Sequence, residues 1–391
     1  KVTVLVVLGW VRPTAITTER ARLMALMTGR ERVMGALRHE ETDRVPIDFG
    51  GANSTSIYFT AYDRLKDFLG LEHETVIGRR MTRAVIIDES MLRRFDIDTR
   101  ILALGAFEGA GHQREIDEDT YADEFGAVWR KSGDGPYLNV QGPFYGERGT
   151  LRDLEAYVWP DPDDFGYYRG LRERAQALRA NTDCAIILAV PTGIVHMAQW
   201  LRGYETWLLD LYKNRDFACR LVELITDWWV RVVENALDAA GENIDVTSFG
   251  DDLGTQQSTL FDPRLYRQLV KPHHARMIAT LKQGSDAKTL LHSCGAVSAL
   301  FDDFIEIGID AVNPVQVRAK GMEPERLKAN YGDRLSFWGA IDTQRVLPFG
   351  SPEEVRAEVR RVTNILGRDG GYVLNSVHNI QADVPPENIA A

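Results

Sequence analysis

The 391-residue chain is 44% hydrophobic and 26% charged, an ordinary globular composition with enough apolar residues for one large domain or two or three smaller ones. Its 46 basic and 57 acidic residues give a formal charge of −11 with no dense Lys/Arg run, so its long-range field repels nucleic acid and polyanionic substrates except where a local pocket overrides it. Three scattered cysteines, Cys184, Cys219 and Cys294, make no disulfide framework and fit a reducing cytoplasm.

The first run, "KVTVLVVLGWV", is too short to span a bilayer and lacks the small-residue cleavage site of a signal peptide, so nothing in it calls for a membrane. The sequence from Met27, "MTGRERVMGALRHEETDRVP", reads as a more natural beginning, and residues 1–26 are expected to be an extension outside the fold. From there short apolar runs alternate with amphipathic ones. "RVPIDFG", "TRILALG", "CAIILAVP", "DVTSFGDD", "TLLHSC", "AVNPV", "LSFWGAI" and "GYVLNSV" read as strands, with helix-like segments such as Glu205 to Leu237 between most of them. Eight such runs predict an α/β fold, a (β/α)8 TIM-type barrel over residues 27–391. A doubly wound sheet is the alternative, but no glycine-rich phosphate fingerprint follows the first strand. Residues Glu115 to Pro143 alternate like a small β-hairpin insertion, and "YVWPDPDDFGYY" reads as a connector. The chain stops at "PPENIAA", just as a helix should begin, so the barrel is expected to lack its final helix.

In such a barrel the chemistry belongs at the C-terminal ends of the strands. There lie Asp251 and Asp252, His292 and Cys294, Asn313 and Gln316 around Pro314, Asp342, and His378. His292 and Cys294 are two apart and project on one side of a strand end, while Gly295 lets the backbone turn. Imidazole and thiolate are the donors zinc prefers, although a half-buried Cys beside a His bonded to a carbonyl is the blander reading. His378 supplies the third donor that this pair lacks. The adjacent carboxylates Asp251 and Asp252 are the candidates for catalysis, with a helix N-cap as the other role for any one Asp, Asp342 included. His196 is a candidate to line the same pocket, whereas His39, His73, His112, His273 and His274 lie in surface-like or helical contexts.

With these motifs in order, "GRERVMGALRHEETDRVPIDFG", "DDLGTQ", "HSCG", "WGAID" and "PPENI", the chain resembles the uroporphyrinogen decarboxylase superfamily. The resemblance implies a (β/α)8 barrel, and the superfamily includes cobamide-dependent methyltransferases. Its decarboxylases use an early Arg-rich motif and an Asp at the second strand. Here the first strand lacks the Arg pair, and the position matching that Asp is Gly105. The methyltransferase branch binds zinc through His-x-Cys and a later Cys. His292 and Cys294 match the first two, and His378 stands in place of the later Cys. One thiolate with two imidazoles leaves zinc at +1, a more electrophilic ion than two thiolates would leave.

The resemblance therefore implies a zinc-dependent methyltransferase of one-carbon metabolism, moving a methyl group between a small O-, N- or S-methyl compound and a corrinoid carried by a separate partner protein. Asn313, Gln316, Asp342 and His196 are the expected cofactor-binding residues, and Asp251 is the fourth ligand or proton acceptor with Asp252 as its alternative. Decarboxylation of a porphyrinogen or another carboxylate is the second reading, and a non-catalytic metal- or corrinoid-binding barrel the third. Relatives of this barrel often pair, so a homodimer is expected to be open to this chain. Trp228 and Trp229 serve either such an interface or the core.

Overall fold

A computed structural model describes residues 26–391 except positions 73, 192, 284 and 285, so the expected N-terminal arm (residue 26 aside) and His73 lie outside the described residues. Seven parallel strands form one curled sheet in the order β13-β12-β11-β10-β9-β8-β3. They are β3 (Thr99–Ala103), β8 (Ala185–Ala189), β9 (Val246–Gly250), β10 (Lys288–His292), β11 (Ala311–Asn313), β12 (Ser336–Ile341) and β13 (Tyr372–Ser376). Their continuous Val/Ile/Leu runs suit strands covered on both faces, and every residue of β8 is buried.

The run "RVPIDFG" supplies the eighth position without forming a regular strand. Ile47 bridges Leu374 of β13 in parallel. On its other side the Ile47 carbonyl accepts from the amide of Asp98, which precedes β3, at 2.9 Å. Asp98 fixes this seam. Its buried carboxylate accepts from the Ile47 amide at 2.8 Å and pairs with Arg32 at 3.0 Å and Arg44 at 2.5 Å.

Alternation along the strands then divides the core in two. Ala185, Ile187, Val246, Leu290, Ala311, Trp338 and Val373 pack together inside the barrel. Helix α1 (Gly29–Leu37), started by the Thr28/Glu31 capping box, adds Val33 and Leu37 to that cluster and plugs this end. The intervening residues, such as Leu291, Val312 and Phe337, pack outward under the helices.

Three further helices concern the site: α2 (Ile194–Arg202), α3 (Arg215–Ala240) and α4 (Lys271–Leu281). Trp228 and Trp229 of α3 are buried in the monomer core, and Trp228 Nε1 donates to the Pro160 carbonyl at 2.8 Å. Core packing therefore accounts for both tryptophans.

The insertion is larger than a hairpin. Strands β4 (Arg114–Asp117), β5 (Thr120–Ala122), β6 (Val128–Lys131) and β7 (Tyr137–Gln141) form a four-stranded antiparallel meander. A two-stranded ribbon, β1 (Ile77–Arg79) with β2 (Ala84–Val85), has no counterpart in the strands predicted from periodicity. The Pro-Pro-Glu signal near the C-terminus does start a short helix, Pro386–Ala390. Among the described residues no helix is long and apolar enough to cross a membrane.

Truncating Asp98 takes one of two carboxylates from Arg32 and Arg44, which keep Asp43 and Asp96, and leaves the Ile47 amide without its acceptor. Asp98→Ala is expected to lower unfolding free energy by about 1–3 kcal/mol, read from the urea midpoint.

Candidate metal centre

His292 lies two residues beyond the inward-packed Leu290, so strand alternation turns its imidazole into the barrel mouth. Its register partners are Gly250 on β9 and Asn313 on β11. Asn313 is oriented by its own amide, whose Nδ2 donates to the Trp338 carbonyl at 3.2 Å, so Oδ1 faces His292 and accepts from Nδ1 at 2.6 Å. Ser54 Oγ also donates to that oxygen, at 3.0 Å. This arrangement places the His292 proton on Nδ1 and leaves the Nε2 lone pair free, 3.4 Å from Cys294 Sγ.

Beyond Cys294 the chain turns at Gly295 with φ +92°, where a Cβ would collide with the Gly254 backbone. His378 follows β13, its ring centroid 5.2 Å from that of His292 and nearly perpendicular to it. One donor atom from each of His292, Cys294 and His378 lies within 4.8 Å of the other two. Cys294 Sγ and His292 Nε2, 3.4 Å apart, already have the roughly 3.3–3.7 Å separation of ligand atoms around tetrahedral zinc.

Burial lowers the pKa of His292, and it lowers that of His378 to about 4 with help from the neighbouring His292. Both imidazoles are therefore neutral, the state in which they ligate. Burial raises the Cys294 thiol well above its usual value, and nearby Asp252 adds to this. A divalent cation reverses that balance by stabilising the thiolate. Two soft nitrogens with fixed or neutral lone pairs and one sulfur on a concave rim thus fit zinc.

Beside this cluster sits an ion pair. Asp252 Oδ1 accepts from the Cys294 amide at 2.8 Å and lies 3.7 Å from His292 Nε2, while Oδ2 is 3.4 Å from His196 Nε2. Burial depresses the His196 pKa, but Asp252 outweighs it and the result is raised to about 9. Burial likewise opposes ionisation of Asp252, and His196 outweighs it to hold the carboxyl far below its usual range. His196 stacks on Trp200 at 5.7 Å and is steadied by the Gly250 carbonyl, 3.0 Å from Nδ1. His196, Asp252, His292, Asn313 and His378 all line one cavity of about 280 Å³ at the C-terminal mouth of the barrel.

The other candidates stand behind this surface and do not line the cavity. Asp251 is 0% exposed. Its oxygens accept from the amides of Ile194 and His196, both at 2.8 Å, capping α2, and one lies 2.8 Å from His274 Nε2 on α4. Gln316 Oε1 accepts from the Gly295 amide at 2.7 Å and so braces the turn after Cys294. Asp342 Oδ1 accepts from the amides of Gln344 and Arg345 at 2.8 and 3.2 Å, closing the turn that leads into the short helix Val346–Phe349, whose N-cap is Arg345. His274 is fully buried between Asp251 and Tyr266, and His273 meets Thr226.

Two lining residues, Arg79 on β1 and Trp200 on α2, carry no motif or strand periodicity that would single them out. The adjacent arginines in "GRR" are the one available signal. At Gly105 a side chain would collide with the Gly166 carbonyl, and the Gly105 amide donates to Tyr167 O at 2.7 Å. That position therefore has no room for a carboxylate.

Residues 132–391 match the family described as uroporphyrinogen decarboxylase (URO-D). A uroporphyrinogen decarboxylase from Psychromonas ingrahamii is 22% identical over 92% of this chain and 94% of its own length. Another from Pseudoalteromonas atlantica is 34% identical over 76% of this chain and 77% of its own. Among solved structures, a methyltransferase from Methanosarcina mazei superposes with a TM-score of 0.57 at 16% identity, covering 93% of this chain and 96% of that one.

Purified protein is expected to carry about one zinc per chain, lost in both Cys294→Ser and His378→Ala, as measured by plasma mass spectrometry. Asn313→Ala should keep the three ligands but bind zinc about 10- to 100-fold more weakly in chelator competition, because the His292 tautomer is then unfixed.

Proposed function

The chain belongs to the uroporphyrinogen decarboxylase family, and from that premise we propose that it is a zinc-dependent methyltransferase moving a methyl group between a small methylated compound and a corrinoid on a partner protein. The reading rests on one observation. His292, Cys294 and His378 converge at the barrel mouth, with Asn313 fixing the tautomer that frees Nε2. Family membership indicates an enzyme, and the Methanosarcina methyltransferase is a protein of the same fold with that activity in its name.

Zinc bound there supplies positive charge to the heteroatom bearing the methyl group and makes it a better leaving group. The protein's own residues handle orientation and the proton. His196, protonated at neutral pH and held by Asp252, faces the cavity beside the three ligands. When the methyl group departs, the heteroatom keeps the bonding electron pair and takes a proton from His196. The electron pair of the new carbon–cobalt bond comes from the Co(I) corrinoid, a substrate carried by the partner. Asp252 keeps the His196 ring in place throughout. Trp200, stacked on that ring, keeps water from one of its faces.

The names of the curated relatives favour a second reading, decarboxylation of a porphyrinogen. Two features weigh against it. Gly105 has no room for a side chain, and a cavity of about 280 Å³ is at the small end for any organic ligand and far below a tetrapyrrole. The third reading, a barrel that binds metal or corrinoid without turnover, differs by having no dependence on His196.

Incubation of the zinc-loaded protein with a Co(I) corrinoid protein and a broad panel of methylated donors is expected to produce a methyl-cobalt absorption spectrum. His196→Gln should slow its appearance about 10²- to 10⁴-fold with zinc content unchanged. No methyl-cobalt from any donor would sink the proposal, and turnover of uroporphyrinogen by metal-free protein would replace it with the decarboxylase reading.

A further inference from the structure

Arg79 and Arg80 are neighbours whose charges are met differently. Arg80 pairs with Glu115, Nη2 to Oε2 at 2.7 Å, and stacks over Tyr121 at 4.0 Å. Arg79 instead reaches the cavity it shares with His196, Asp252, His292 and His378. Its side-chain hydrogen bond runs from Nη2 to the Pro191 carbonyl at 3.0 Å, and no carboxylate among the described residues lies within ion-pair distance. Arg79 is half-buried, and four of its five N–H groups have no partner among the described residues, so its planar fork is free to take two oxygens of a bound oxyanion.

The rest of the cavity suits an organic ligand. Met81, Tyr137 and Trp200 supply apolar wall, which suits the carbon body of a small molecule.

We propose that Arg79 anchors an oxyanion head group, and that the substrate is a small organic acid whose carboxylate or sulfonate sits in the Arg79 fork. That the same molecule carries a methylated heteroatom toward His292, Cys294 and His378 rests on the methyl-transfer reading; the anion site does not.

The test is equilibrium binding of three probes to the zinc-loaded protein: 4-methoxybenzoate, 4-methoxybenzenesulfonate and uncharged methoxybenzene. At least one acid is expected to bind ten-fold or more tightly than the ether, and the tighter acid identifies the head group. Arg79→Ala should weaken acid binding about 10- to 100-fold and leave methoxybenzene unaffected, with Arg79→Lys recovering part of the loss. Equal binding of acids and ether by the wild type, a comparison that needs no variant, would overturn the proposal, as would acid binding unchanged in Arg79→Ala. Arg79-dependent acid binding with no methyl-cobalt from any donor keeps the anion site and removes methyl transfer. Methyl transfer from methoxybenzene and 4-methoxybenzoate at equal rates, unchanged in Arg79→Ala, does the reverse.

Discussion

Everything at the barrel mouth depends on the two-residue alternation of the strands. On β10 the parity that sends Leu290 into the interior also sends His292 there, while Leu291 packs outward under the helices. A shift of one residue would bury the His292 imidazole in the outer core and turn Leu291 toward the cavity. The same parity on β11 brings Asn313 level with His292, so one register fixes both the ligand and the residue that orients it. The interior cluster under them, capped by α1, makes that register costly to change.

Much of this was legible in the sequence because period-two apolar runs and their polar endings are local signals. All eight runs fall at the eight barrel positions, with "RVPIDFG" reduced to a bridge by Pro46, which has no amide hydrogen to donate. His292, Cys294 and His378 were identifiable by residue type at strand ends. Asp251 is the first candidate by sequence and Asp252 its alternative, and the structure reverses that order: Asp252 shares the strand parity of the inward-packed Val246 and lines the cavity, and Asp251 does not. The fold turns Asp252 toward His292 and Cys294 and buries Asp251 as a cap. Arg79 was illegible because its role comes from the ribbon folding over a cavity built far along the chain. The meander was read as a hairpin because its four strands have three to five residues each, too few for periodicity to resolve.

Family membership and chemistry separate along the same lines. The scaffold follows the family, while the positions that decide a reaction lie on the rim. Gly105 and the cluster of His292, Cys294 and His378 are such positions. One is closed to a side chain by the Gly166 backbone, and the other gathers soft donors.

The single-residue seam at Ile47 also bears on how the molecule assembles. It joins Ile47 to Leu374, nearly the whole described chain apart, and His378 stands just beyond that join. Contacts of such long sequence separation are entropically the hardest to form first. His292 and Cys294 are neighbours from synthesis onward, whereas His378 lies more than eighty residues further along and meets them only once β10 to β13 have assembled. If the three hold a metal, as proposed, its full capture is tied to completion of the fold, since the third donor lies far along the chain from the other two.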